Sequence, residues 1–283
     1  MKNKVIIVVV VVLCLVAAIA LGYILINQTQ NPSNQVQNGV SNTIENEVPS
    51  EEETPSNTGE NVAINSKRGI EILEPLNFVT TIYSNMYYDE IDSNGFSNKA
   101  KVIASFIKLS TQEAYQSLIL QGEQGSYFSK NDLEDIAKTT FTNTSKLENI
   151  PIDGLLSYDA SLETYTILAR GFSNLDYALE VPYQITEYDD KVEVKSYRIY
   201  INSEVKEEEA NFSVIDSIYY DRAMQKQALS FENGELSNNA NAVAFIREKI
   251  ENKELEEKEL TSVQYTLLKS EDGFLLSDYK KGK

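Results

Sequence analysis

Ser105-Phe106-Ile107-Lys108 places a hydroxyl one helical turn before an amine, the S-x-x-K spacing in which a Lys takes the proton of a serine nucleophile. The same spacing recurs at Ser203–Lys206 and Ser277–Lys280. Ser237-Asn238-Asn239 could stand for the accompanying S-D-N segment, but no K-T-G follows, so the spacing is read as chance. Glu90-Ile91-Asp92-Ser93-Asn94-Gly95 has oxygen-bearing side chains at alternate positions and a Gly at the bend, like the first half of a calcium loop. Its twelfth position is Lys101, where a bidentate carboxylate is needed and a cation repels the metal. That segment is therefore read as a turn before a helix. Paired carboxylates could hydrolyse a glycoside, but with 37 acidic residues after position 66 the sequence singles out no pair.

The chain has 283 residues, no His and one Cys. Without His there is no Ser-His-Asp triad, no Cys-His dyad and no imidazole ligand for zinc or haem. A lone Cys allows neither an internal disulfide nor a Cys-cluster metal site. A formal net charge of −18 opposes nucleic-acid binding, which needs Lys and Arg to neutralise phosphate. Tyr is abundant, 17 residues, with clusters at Tyr83, Tyr87, Tyr88 and at Tyr219, Tyr220. Tyr stacks on sugars and peptides, yet it also favours strands, and the structural role is preferred. No catalytic, cofactor-binding or metal-ligating residue is assigned, and no cofactor is expected.

The elements that would position any site begin with helices. Ala100, Val102, Ile103, Phe106, Ile107 and Leu109 form a broad apolar face over Asn98–Leu109, with Ser97 as its N-cap. Ser110-Thr111-Gln112-Glu113 matches a capping box and predicts a second helix to about Leu120, before Gly122. Ser129-Lys130-Asn131-Asp132 opens a third, through Leu133, Ile136 and Ala137. After Pro151 strands dominate. Tyr177, Leu179, Val181, Tyr183 and Ile185 alternate with more polar neighbours, and Pro182 places that strand at an edge or a bulge. Asp189-Asp190 then turns into a strand over Val192–Ile201. Phe212–Tyr220 is another strand, and Asn241–Ile250 is a short amphipathic helix followed by the solvated charge run Glu251–Glu259. Val263-Tyr265-Leu267, a turn at Ser270–Gly273 and Phe274–Tyr279 make a closing hairpin. The expected class is α+β, helices packed on a mainly antiparallel sheet.

The segment from Tyr265 to Tyr279 resembles the closing hairpin of NTF2-like and cystatin-like domains, in which helices also precede a curved antiparallel sheet. Phe274 stands where such domains often carry Trp. The resemblance spans about 15 residues and implies a fold without an activity, since that superfold hosts enzymes and binding modules alike.

The amino terminus sets the location. Val5 to Ile26 is an uncharged apolar run of 22 residues. As a helix it reaches about 33 Å, matching the hydrocarbon core of a bilayer. Ala18-Ile19-Ala20 has the small-x-small form of a signal-peptidase site, but Leu21, Tyr23, Ile24, Leu25 and Ile26 carry the apolar run past it, so a retained anchor is favoured over a cleaved signal. Leu13 before Cys14 is wrong for lipoprotein processing, and Cys14 is read as a small apolar filler. Lys2 and Lys4 precede the run, whereas residues 27–66 hold no Lys or Arg. Positive charge stays cytoplasmic, so the rest of the chain is expected outside the cell membrane, as a single-pass extracytoplasmic protein. Residues 27–66 carry six Glu and three Pro and read as a disordered acidic linker, roughly 35 Å end to end. Residues 67–283 hold 23 basic and 37 acidic residues, a net −14, and read as the α+β domain, helical to about 150 and strand-rich from about 151. The Asn-, Lys-, Ile- and Glu-rich composition resembles that of low-GC Gram-positive proteins. The expected partners are the membrane, through residues 5–26, and an envelope protein or peptide, with no nucleic acid. The function expected is a non-enzymatic binding or accessory module of the cell envelope. The alternatives are an envelope hydrolase using paired carboxylates and, if the amino-terminal segment is cleaved, a secreted factor.

Overall fold

The computed structural model describes residues 58–80, 95–123, 125–145, 147–168, 175–208, 211–232, 234–236 and 241–282. The apolar run Val5–Ile26 and the linker as far as Asn57 lie outside the described residues. So do Tyr83, Tyr87 and Tyr88, Glu90–Asn94 of the calcium-like segment, and Ser237-Asn238-Asn239. No helix among the described residues is long and apolar enough to cross a membrane. Residues from Glu60 to Lys283 form one compact unit, which therefore starts inside the segment read as linker. Its class is α+β, with few helices and antiparallel sheets.

One strand organises the larger sheet. Strand β7, Lys191–Glu208, is 18 residues long. On one side it pairs with β6, Leu175–Glu187, over Val192 to Ser203. On the other it pairs first with β10, Thr261–Ser270, as far as Arg198, and then with β8, Asn211–Tyr219, from Tyr200 onward. The sheet thus forks at Arg198. Strand β11, Gly273–Lys281, extends the β10 branch, and β9, Gln227–Phe231, extends the β8 branch. A two-residue strand β1, Glu60–Asn61, pairs with Thr186 and Glu187 of β6.

Alternation along β7 serves two cores on opposite faces. Val192 and Val194 point to one face, with Ile185, Val263, Tyr265, Leu267 and Leu276. That face is covered by α1 (Lys67–Thr80), α2 (Asn98–Thr111) and α4 (Lys130–Lys138). Ile199 and Ile201 point to the other, with Val181, Ile218, Phe231 and Leu236. That face is covered by α5, Ala242–Glu251, through Ile246 and Ile250. On β6 the same switch needs an extra residue. The register shifts between Pro182 and Gln184, so Tyr183 is bulged and the strand's parity inverts there. Val181 and Ile185 are four residues apart and would share a face in a regular strand, yet they sit in different cores. The edge or bulge expected at Pro182 is met on both counts.

A second, four-stranded antiparallel sheet runs β2 (Leu120–Gly122), β3 (Gly125–Ser129), β5 (Thr164–Ile167), β4 (Leu156–Asp159). Phe128 and Tyr165 are buried from it into the helical core, with ring centroids 5.3 Å apart. Its first two strands fall in the region read as helical. The helix expected from Ser110 to Leu120 does not form as such. Ser110 Oγ and Thr111 Oγ1 donate back to the carbonyl of Ile107, at 3.0 and 2.7 Å, so they finish α2 rather than cap a new helix. Gln112 is extended and its side chain caps nothing; only α3, Glu113–Gln116, follows before β2. The other predicted starts hold. Ser97 Oγ accepts from the Ala100 amide, and Ser129 and Asp132 form a full capping box.

Helix α1 is absent from the sequence reading. Its start is fixed by Ser66 Oγ, which accepts from the Gly69 amide at 3.0 Å. Ile72, Leu76 and Val79 then recur on its buried face despite Pro75. Arg68 lies against Glu187 of β6 with Nη2 at 2.5 Å and Nε at 3.2 Å, and Lys269 Nζ meets the same carboxylate at 3.0 Å.

Two outcomes follow from this packing. A Cβ on Gly69 would stand 2.4 Å from the Ala63 carbonyl oxygen and 2.5 Å from that of Ile64, both backbone atoms. Gly69→Ala should therefore destabilise by about 1–3 kcal/mol in denaturant unfolding; an unchanged midpoint would remove this contact from the account. The hydrogen bond from Arg68, aided by Lys269, holds the Glu187 carboxyl down at about 2. A carboxyl lowered on folding adds stability above its unfolded pKa, and loses it as pH falls through the folded value. Between pH values of about 4.5 and 2 the wild-type protein should lose more stability than Glu187→Gln, measured by thermal unfolding across that range.

Candidate functional site

The residues singled out for chemistry are not brought together. Ser105 is fully buried in α2 and its Oγ has no hydrogen-bond partner. Lys108 turns elsewhere, to Thr139 Oγ1 at 3.0 Å and the Thr139 carbonyl at 3.2 Å, over the ring of Phe78. Burial lowers its pKa. No bond joins the two, so the pair lacks the nucleophile–base contact that S-x-x-K chemistry needs. Ser203 Oγ donates to Asp216 at 2.6 Å inside the second core. Of the calcium-like loop, Gly95 has the positive φ of 81° expected of a bend, and Lys101 Nζ donates to the Asn143 carbonyl. Tyr219 packs on Ala178 and Tyr200, and Tyr220 Oη accepts from the Glu256 amide.

Among the described residues two carboxylates are buried, Glu180 and Asp216. They lie on opposite faces of the sheet and cannot act on one bond. Asp216 accepts from Ser203 and, at 3.0 Å, from the Leu236 amide, which fastens the loop after β9. Glu180 stands directly across from Arg198 in the β6–β7 register. Its Oε1 accepts from Arg198 Nη2 at 2.6 Å, Arg198 Nε at 2.9 Å and Tyr265 Oη at 2.8 Å. Arg198 is 0% exposed and Glu180 7%. The guanidinium also sits 5.4 Å from the centre of the Tyr279 ring. Among the described residues no group of three or more acidic, Cys or His side chains could hold a metal.

Beside this pair is a cavity of about 210 Å³. Leu73, Leu76 and Asn77 of α1 form one wall, and Val243 and Arg247 of α5 the other. Leu179, Glu180 and Pro182 of β6 contribute from between them. Leu179 belongs to the α5 face of the sheet and Glu180 to the α1 face. A cavity lined from both faces of one strand lies over that strand's edge. Arg247 Nη2 reaches the Pro182 carbonyl at 3.4 Å, which shows that carbonyl pointing away from β7. A shallower hollow of about 300 Å³ follows along the same edge, at Asn61, Val62 and Tyr183 to Ile185. There Tyr183, 38% exposed, stacks on Tyr197 with centroids 4.2 Å apart. Burial and the neighbouring Glu257 push the Tyr197 hydroxyl up to about 12.

The sequence could not have shown this site. Its one clue was Pro182, which marked the edge; the cavity depends on α1, hidden by Pro75, and on how α1 and α5 straddle β6. Comparison with family models, with curated proteins and with solved structures gave no match.

The buried pair makes an asymmetric test. Glu180→Ala leaves the Arg198 charge buried without its carboxylate and should cost about 3–5 kcal/mol. Replacing both partners together, Glu180→Leu with Arg198→Met, should recover most of that loss. Denaturant unfolding of the three variants reads this out, and a double variant no better than the single one would contradict it.

Proposed function

We propose that this protein is a membrane-tethered, extracytoplasmic binding module of the cell envelope, working by holding a partner rather than by transforming a substrate. The apolar run Val5–Ile26, with Lys2 and Lys4 before it and no Lys or Arg from 27 to 66, supports the location. The observation that carries binding over hydrolysis is the placement of the buried carboxylates. Glu180 and Asp216 face opposite ways; Asp216 is held through both oxygens by Ser203 and the Leu236 amide, and Glu180 through Oε1 by Arg198 and Tyr265. A retaining or inverting glycosidase needs two carboxyl groups flanking one bond, about 5–10 Å apart. The cavity at the β6 edge combines an apolar half, from Leu, Val and Pro side chains, with a polar half that includes Asn77, Glu180 and Arg247, the mixture of a binding pocket.

Protease added to intact protoplasts should digest the region from Glu60 onward, and high salt should leave the protein in the membrane fraction, because screening charge does not expose apolar surface. Digestion only after lysis would reverse the orientation. A product found in the medium with Leu21 as its first residue would replace the anchor by a cleaved signal.

A further inference from the structure

We propose that the free edge of β6, from Pro182 back towards Leu175, takes up an extended peptide whose aliphatic side chain enters the cavity between α1 and α5. This rests on the binding-module reading and names its ligand class and place.

The edge carries main-chain groups that no described strand takes up. Among the described residues no strand pairs with β6 on the side away from β7 upstream of Ile185. The Pro182 carbonyl faces that side. Because main-chain groups of alternate residues leave a strand on the same edge, the N–H and C=O of Glu180 face it too. The only described contact on the Pro182 carbonyl is the long one from Arg247, which an incoming N–H can displace. Pro182 itself offers no donor, so pairing is one bond short there and runs on through Glu180.

The same edge already holds an extended segment. Asn61 and Glu60 pair with Thr186 and Glu187, and the Val62 amide donates to the Ile185 carbonyl at 3.0 Å. A peptide at Glu180–Pro182 would continue that ladder beyond the bulge. Its side chains would alternate between the α1 side and the α5 side, towards Leu73 and Leu76 or towards Val243. In strand addition the main chain supplies affinity and a pocket for alternate side chains supplies selectivity. A cavity of 210 Å³ exceeds the roughly 150 Å³ in which an engineered apolar site holds a benzene ring, so a leucine-sized group fits. Leu73, Leu76, Leu179, Val243 and Pro182 form the apolar half of the lining and give an aliphatic group its contacts, while Asn77, Thr80, Glu180, Ser196 and Arg247 make the other half polar.

The test uses full-length protein in detergent micelles and a fluorescein-labelled, amidated threonine-valine-leucine-valine-threonine peptide, followed by anisotropy. The labelled peptide should bind saturably. Aspartate in place of its leucine should weaken binding about tenfold or more, the scale of one buried aliphatic side chain. Methylating its backbone nitrogens should abolish binding while leaving the side chains in place. Val243→Phe, which fills the cavity, should weaken binding by a similar factor. Arg247→Gln, which frees the Pro182 carbonyl, should strengthen it, and this variant keeps the test sound if Val243→Phe perturbs folding. No saturable binding by the wild-type protein at millimolar peptide overturns the proposal. Binding that ignores backbone methylation and both variants also overturns the edge site, while leaving a binding module in place. The micelle assay does not depend on orientation, so failure of the protoplast experiment would not be mistaken for failure here.

Discussion

Arg198 is buried at the residue where β7 changes partner, from β10 to β8. A guanidinium cannot be taken out of water alone, so its position requires Glu180 opposite it and Tyr265 beside that carboxylate. This demand ties β6, β7 and β10 at one point. A slip of one residue between β6 and β7 would turn Glu180 to the other face and leave Arg198 without it. Apolar cross-strand pairs tolerate such a slip better than an ion pair does. The pair therefore does more for the uniqueness of the register than for net stability, which is the use best suited to a costly buried charge.

With the register fixed, the rest of the sheet can be divided between two cores. Upstream of Pro182, β6 turns Val181 to α5; downstream, after one extra residue, it turns Ile185 to α1 and α2. The Tyr183 bulge is what lets one continuous strand feed helices on opposite faces. Upstream of it no strand among the described residues pairs with the outer edge of β6, and the cavity lies there between the two helical layers.

Much of this was legible from residue patterns, for identifiable reasons. Strand periodicity survived in β10 and β11 because one face of each is buried and the other more polar, whereas on β6 the alternation read from Tyr177 to Ile185 breaks at the Tyr183 bulge. Ser97 and Ser129 gave helix starts because a short hydroxyl side chain satisfies a free amide wherever the next turn is helical. Ser110 misled because the same hydroxyl can bond backwards to a finished helix, and nothing local separates the two uses. Helix α1 was masked by Pro75, although Ser66 and the spacing of Ile72, Leu76 and Val79 were present. The buried roles of Glu180, Arg198 and Asp216 had no local signature, since a charged residue on a strand looks the same whether it faces water or a partner on the neighbouring strand.

The order in which the chain enters the unit has a mechanical meaning. A pull applied from residues before Glu60 meets the two-residue strand β1 and the Val62–Ile185 bond first. Only after these does it reach the Ser66 cap and the Arg68–Glu187 contact that seats α1. Tension along the chain would thus peel a small, separable latch from the β6 edge before it strained the core, giving the unit a compliant first element ahead of its packed interior.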